Sequence, residues 1–204
     1  MKILHVDSSI LGENSCSRRI AAGVMAKLKK AHPDAILTYR DLAEDPVPHL
    51  SPAYMAASQG ITFEHEPELL ADLNMSERIM QEFLDADIIV LGVAFYNFSI
   101  SSTLKAWIDR IIVLQKTFRY TADGSVEGLV SGKRVILAIA RGGFYAEGMP
   151  NAAQEHCETY LKAILGFIGI TDLDVIAADG IAVGAEHKAK ALVMAEEAIA
   201  RLPA

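Results

Sequence analysis

Apolar positions along the chain follow two rhythms. Short β-type runs occur at residues 2–7, 35–40, 87–92, 134–140 and 172–178. The runs Asp87-Ile88-Ile89-Val90-Leu91-Gly92 and Arg134 to Ala140 are almost wholly apolar. Strands of that kind are covered on both faces, as in the middle of a parallel sheet. Between the runs, apolar residues recur every three or four positions, as Ile20, Val24 and Leu28 do within 17–30. That spacing predicts helices over 17–30, 67–85, 101–115, 150–167 and 185–201. Lys27, Lys29 and Lys30 stand near the end of the first helix, where the macrodipole favours cations. The stretch 41–65 carries Pro46, Pro48 and Pro52 and reads as loop with some helix. Phe118-Arg119-Tyr120 followed by Asp123-Gly124 predicts a small hairpin within 117–129.

Five strands alternating with five helices imply right-handed crossovers and a doubly wound α/β fold around a parallel sheet. No repeat, low-complexity tract or linker interrupts the pattern, so residues 1–204 are expected to form a single domain. Composition agrees: 51% of residues are hydrophobic and 22% charged, the balance of a globular chain. The net charge of −7 argues against nucleic acid and anionic lipid as partners. Cys16 and Cys157 read as free thiols in a reducing compartment. The apolar run at the N-terminus is too short for a signal peptide, and no run approaches the roughly 20 residues that span a bilayer. A cytoplasmic location is expected.

In an open parallel sheet, ligands bind beyond the C-terminal ends of the strands. Three predicted loops leave such ends: Ser8–Ser17, Ala94–Ser101 and Arg141–Pro150. The first brings Ser9, Ser15 and Ser17 to the start of a helix, together with Cys16. A helix N-terminus offers free N–H groups and a positive dipole end, and hydroxyls add donors without charge. The combination suits a phosphate monoester; Ser15 or Ser17 as a plain helix cap is the competing reading. The second loop, Phe95-Tyr96-Asn97-Phe98, puts three aromatics in four residues. They could cover a flat ring system, with Asn97 facing its heteroatoms, or plug the gap between loop and helix. The third loop, Ala140-Arg141-Gly142-Gly143, lets the backbone approach a ligand closely or simply turns the chain.

Other chemistries find no support. His5, His32, His49, His65, His156 and His187 show no metal-ligand spacing and read as surface or structural residues. G-x-G-x-x-G, G-x-S-x-G and C-x-x-C are absent. The run Gly128 to Arg134 resembles a phosphate-binding P-loop only superficially. Its glycines are one residue too close, Arg134 stands where Ser or Thr belongs, and a strand follows.

Taken together, these loops resemble those of the FMN-dependent NADH-azoreductases, also described as NADH:quinone reductases, within the flavodoxin-like superfamily. Six blocks carry the likeness in order: Ser8-Ser9-Ile10-Leu11 with Ser15 and Ser17; Tyr96-Asn97-Phe98 with Ile100-Ser101; Thr117-Phe118-Arg119-Tyr120-Thr121; Glu127-Gly128-Leu129-Val130; Arg141-Gly142-Gly143; and Leu165 to Ile170. The resemblance implies a flavodoxin-like five-stranded sheet and one FMN per subunit. It assigns the phosphate to Ser9, Ser15, Cys16 and Ser17, one side of the isoalloxazine to Phe95, Tyr96, Asn97 and Phe98, and the other edge to Ala140, Arg141, Gly142 and Gly143. Asn97 and Tyr120 would border the substrate. It further implies a homodimer with the active site at the subunit interface. NADH or NADPH would be the donor, and quinones and azo compounds the acceptors in a ping-pong cycle. The alternative is a flavodoxin-type electron carrier with no turnover of its own. Two departures stand out: Ala94-Phe95 replaces the usual Pro-Met, and Ala140 replaces a frequent serine.

Overall fold

The computed structural model describes residues 1–61 and 67–203. His65 therefore lies outside the described residues. In chain order the strands are β1 (Lys2–Asp7), β2 (Ile36–Asp41), β3 (Ile88–Ala94), β4 (Phe118–Tyr120), β5 (Val126–Gly128), β6 (Arg134–Ala140) and β7 (Asp172–Ala178). The helices are α1 (Cys16–Ala31), α2 (Pro52–Ser58), α3 (Pro67–Asp85), α4 (Ser102–Ile111), α5 (Glu158–Phe167) and α6 (Ala185–Arg201). Five strands form one sheet in the order β2-β1-β3-β6-β7, and every pairing in it is parallel. β4 and β5 form the separate antiparallel hairpin. The fold is thus the flavodoxin-like one that the loops implied.

Strand side chains alternate between the two faces, so each central strand feeds two cores. Ile89, Leu91 and Val93 share one core with Val135, Leu137 and Ile139, under α3, α4 and α5. Ile88 and Val90 share the other with Ile136 and Ala138, under α1 and α6. The chain therefore leaves β1 toward one face and β3 toward the opposite face. Two adjacent strands whose connections diverge in this way open a crevice beyond their C-terminal ends. At its floor, Gly92 of β3 faces Asp7 of β1. A Cβ at position 92 would lie 1.9 Å from Asp7 Oδ1, so the Asp7 carboxylate keeps its place only against glycine.

Two predicted helices are shorter than the periodicity implies. The helix expected over 101–115 stops at Ile111, because Thr117 Oγ accepts the Val113 N–H at 2.9 Å and donates to the Ile111 carbonyl at 2.7 Å. The helix expected over 150–167 is a 3-10 turn at Ala152–Gln154 followed by α5. Glu155 makes the break: its carboxylate accepts N–H bonds from Cys157, Glu158 and Thr159 at 3.2, 2.8 and 3.1 Å. It caps α5 from outside instead of continuing a helix. The helical part of 41–65 is α2, capped by Ser51 with Pro52 in its first turn. The Gly128–Arg134 run holds no phosphate loop. It leads from the hairpin to β6, and a Cβ on Gly128 would sit 2.2 Å from the Gly169 nitrogen.

The loop before α2 is pinned by one charge. The Arg110 side chain is fully buried; it donates to Ser76 Oγ at 2.8 Å and to the Pro48 carbonyl at 2.7 Å. It pairs with Asp72 at 3.0 Å, and its guanidinium lies 4.0 Å from the Tyr54 ring centre. Removing one member of a buried pair leaves the other uncompensated. Arg110→Met is expected to cost about 3 kcal/mol in urea unfolding. It should also open the segment before α2 to proteolysis; an unchanged midpoint would show that Arg110 is dispensable.

Candidate functional site

The three loops meet where the sequence placed them, beyond β1, β3 and β6. Ser8 joins the first two: its N–H and Oγ–H donate to the Gly92 carbonyl at 3.0 and 2.9 Å, and its Oγ accepts the Ala94 N–H at 3.4 Å. Tyr96 of the second loop reaches back to the first. Its hydroxyl accepts the Ile10 N–H at 3.2 Å and lies 3.3 Å from Ser9 Oγ.

Ser15 is the N-cap of α1, its Oγ accepting the Arg18 N–H at 3.3 Å and lying 3.0 Å from Ser17 Oγ. The capping reading therefore holds for Ser15. It does not exhaust the loop, because a cap satisfies only part of a helix's first turn. The N–H groups of Cys16 and Ser17 have no acceptor among the described residues. Ser9, Ser15, Cys16 and Ser17 thus gather hydroxyls and free N–H groups at a positive helix end, an arrangement able to cradle an anion.

The second loop is a tight turn. Tyr96 and Ser99 exchange both backbone hydrogen bonds, at 2.9 and 3.0 Å. Asn97 and Phe98 between them have φ of +47° and +72°. Two successive left-handed residues are the signature of a two-residue mirror-image turn, which favours Asn then Gly. Phenylalanine in the second place is strained, and such strain gathers at functional positions. Phe95, Phe98 and Tyr145 form a cluster, with centroids 4.7 Å apart for Phe95–Tyr145, 6.3 Å for Phe98–Tyr145 and 6.5 Å for Phe95–Phe98. The replacement at Phe95 thus supplies a ring that bridges the second and third loops.

In the third loop the carbonyls point away from the crevice. Those of Arg141, Gly142 and Gly143 accept the N–H groups of Ile181, Ala182 and Gly180 at 3.2, 3.0 and 2.9 Å. The N–H groups of Gly142 and Gly143 have no acceptor among the described residues. Ala140 closes β6, and its carbonyl accepts the Phe95 N–H at 3.3 Å. The Arg141 side chain turns inward, bonded to Glu158 and lying 3.1 Å from Asp179 and 3.4 Å from Glu155. Desolvation opposes its charge, but the Asp179 and Glu158 carboxylates more than offset that and hold it above the usual arginine range. Arg141 thus presents its backbone to the crevice and commits its side chain to tying the loop to α5 and to the end of β7.

Tyr120 stands apart. It is exposed on β4 against Phe118, and Phe118 packs on Phe167 at the far end of α5. A single chain does not bring it to the three loops. His5 lies 3.4 Å from Asp7, and His187 meets Phe144 edge-on. The Cys157 thiol is fully buried, which pushes it up to about 12. Among the described residues no group of three or more His, Cys, Asp or Glu is arranged to hold a metal, and no helix is long and apolar enough to cross a membrane. Tyr145 and Arg18 were not singled out from sequence. Tyr145 had a signal, an aromatic beside a glycine pair; Arg18 had none, since its partners lie on another strand.

The strained turn gives a direct check. In left-handed backbone, a side chain with a Cβ costs about 1–2 kcal/mol relative to glycine. Phe98→Gly should therefore be about 1 kcal/mol more stable than Phe98→Ala in urea unfolding, the reverse of the usual ranking. Equal stabilities would mean the turn is not left-handed.

Known proteins share this fold. A family model described as flavodoxin-like fold matches residues 1–202. A protein of Xanthomonas campestris pv. campestris named FMN-dependent NADH:quinone oxidoreductase is 54% identical over 203 residues, covering 100% of both chains. FMN-dependent NADH:quinone oxidoreductase 2 of Bradyrhizobium diazoefficiens is 51% identical over 204 residues, again covering 100% of both. Among solved structures, an FMN-dependent NADH-azoreductase from Bacillus anthracis in complex with FMN superposes with a TM-score of 0.86 at 28% identity, covering 98% of each chain. The chain belongs to the flavodoxin-like fold family, and these oxidoreductases are among its relatives there.

Proposed function

We propose that this chain is an FMN-dependent oxidoreductase that takes electrons from NADH and delivers them to quinones. The observation that carries the reading is the convergence of three complementary surfaces on the β1–β3 crevice: an anion cradle, an aromatic wall and a pair of free glycine N–H groups. An anion, a flat ring and a polar edge are the parts of FMN, and the relatives at half identity or more carry that cofactor in their names.

Each residue then has a defined task. Ser9, Ser15, Cys16 and Ser17 hold the phosphate by hydrogen bonds without a formal positive charge. Phe95, Tyr96 and Phe98 exclude water from one side of the ring system, and Asn97 offers both a donor and an acceptor to its heteroatoms. Gly142 and Gly143 would offer their free N–H groups to the pyrimidine edge of the ring, where negative charge grows on reduction. FMN held this way supplies two-electron chemistry, hydride in from the nicotinamide and electrons out to the acceptor. Donor and acceptor would use one open site in turn, giving ping-pong kinetics. One turn reduces a quinone. An azo bond, which needs four electrons to give two amines, takes two turns. Tyr120 is exposed on the hairpin, with Phe118 as its aromatic neighbour, so it is free to complete the site of a second copy in a homodimer. The enzyme works in the cytoplasm.

The purified protein should be yellow and release FMN on denaturation. NADH alone, under anaerobic conditions, should bleach it, and a quinone should restore the colour. Protein that takes up no FMN refutes the cofactor. FMN that binds but is not bleached by NADH identifies an electron carrier instead. Asn97→Gly keeps the left-handed turn and removes only the side chain; it should weaken FMN binding or slow reduction by about 10-fold, the value of one or two lost hydrogen bonds. Unchanged titration and reduction rates would leave Asn97 a turn residue only.

A further inference from the structure

Arg18 is the third residue of α1, in its first turn beside the anion cradle, where an arginine would ordinarily be assigned to the phosphate. Its hydrogen bonds say otherwise. A guanidinium has five N–H donors, and here all are committed within the chain. Nε and Nη2 donate to the Ser9 carbonyl at 3.2 and 2.7 Å. Nη2 also donates to Asp41 Oδ1 at 2.7 Å. Nη1 donates to Asp41 Oδ2 at 2.5 Å and to the Tyr39 hydroxyl at 3.2 Å. Asp7 Oδ2 lies a further 3.9 Å away, so two carboxylates stand beside the one cation. No donor is left over for a phosphate, and the positive charge is already balanced.

What the bonds do instead is fix one peptide. A trans peptide is planar, with its C=O and N–H pointing to opposite sides. Arg18 draws the Ser9 carbonyl to the outer side of the loop. The Ile10 N–H must then point to the inner side, where it meets the Tyr96 hydroxyl at 3.2 Å. The same residue closes the loop's other end through its own N–H, which donates to Ser15 Oγ at 3.3 Å. Arg18 thus spans the loop from Ser9 to Ser15 and anchors it on β2 through Asp41.

We propose that Arg18 is the positioning residue of the phosphate subsite: anchored on Asp41, it holds the Ser9–Ile10 peptide so that the loop's donors converge on the phosphate, which it does not touch. This rests on the FMN reading above.

The test compares FMN with riboflavin, the same ring without phosphate, in fluorescence-quenching titrations of the full-length protein. Wild-type protein should prefer FMN. Arg18→Met and Arg18→Lys should both weaken FMN by ~10-fold or more while riboflavin changes less than about 2-fold, since lysine keeps the charge but cannot fork between Ser9 and Asp41. Asp41→Asn decides between position and charge. A positioning arginine that loses its anchor binds FMN less well. An arginine acting by charge, freed from its carboxylate, would bind FMN more tightly. The proposal is overturned if Asp41→Asn tightens FMN, if either Arg18 variant leaves FMN unchanged, or if FMN and riboflavin weaken equally. If Arg18→Met does not fold, Arg18→Lys and Asp41→Asn decide by the same criteria. Wild-type protein that binds both flavins alike removes the phosphate subsite itself, a result distinct from any seen only in the variants.

Discussion

The structure turns on the close approach of β1 to β3 at Asp7 and Gly92. With no side chain at Gly92, the Asp7 carboxylate fits against β3, and Ser8 places both its donors on the Gly92 carbonyl. That contact makes the first and second loops leave the sheet side by side. Any other residue at 92 would drive its Cβ into the Asp7 carboxylate and displace it, just where the connections diverge to opposite faces. Asp7 in turn accepts from the Tyr39 hydroxyl at 3.1 Å. Desolvation and then the Asp7 and Asp41 carboxylates push that hydroxyl up to about 12, so it remains a donor at neutral pH. The tie from β3 through β1 to β2 is therefore continuous.

Much of this was legible in the sequence, and the reason is physical. A central parallel strand must be apolar on both faces, so Ile88–Leu91 and Val135–Ile139 announce themselves. Loops at their ends must carry the chemistry, so Ser9, Ser15, Asn97 and the glycine pair could be named before any contact was seen. What escaped were features that depend on distant partners. Glu155 reads as an ordinary helical residue until its carboxylate is found capping α5. Arg18 reads as one more surface cation on a basic helix until Asp41 is found beneath it. The Arg141 side chain faces three carboxylates that lie 14, 17 and 38 positions away. Local pattern carries no trace of such pairings.

The site divides its work between rigid and strained parts. The anion cradle and the glycine pair use backbone groups whose carbonyl partners are all satisfied elsewhere, so the free N–H groups keep their direction without a bound ligand. The aromatic turn is different. It holds Asn97 and Phe98 in a conformation that glycine would accept more easily, and the ring cluster with Phe95 and Tyr145 offsets part of that cost. A chain selected for stability alone would not place phenylalanine there.

The position of β1 between β2 and β3 also has a consequence in time. Its pairing with β2 needs only the first 41 residues, so the Arg18–Asp41 tie can form early in synthesis. Its pairing with β3 must wait until residue 94 has left the ribosome, and the third loop waits for β6 after that. Non-local parallel pairings of this kind are the slow step of folding. The cradle therefore cannot be complete before β3 joins, because Ser8, Ser9 and Ile10 take partners from Gly92 and Tyr96. A cofactor added before that point has nothing to bind, and whatever stability it brings arrives only once the central strands have closed.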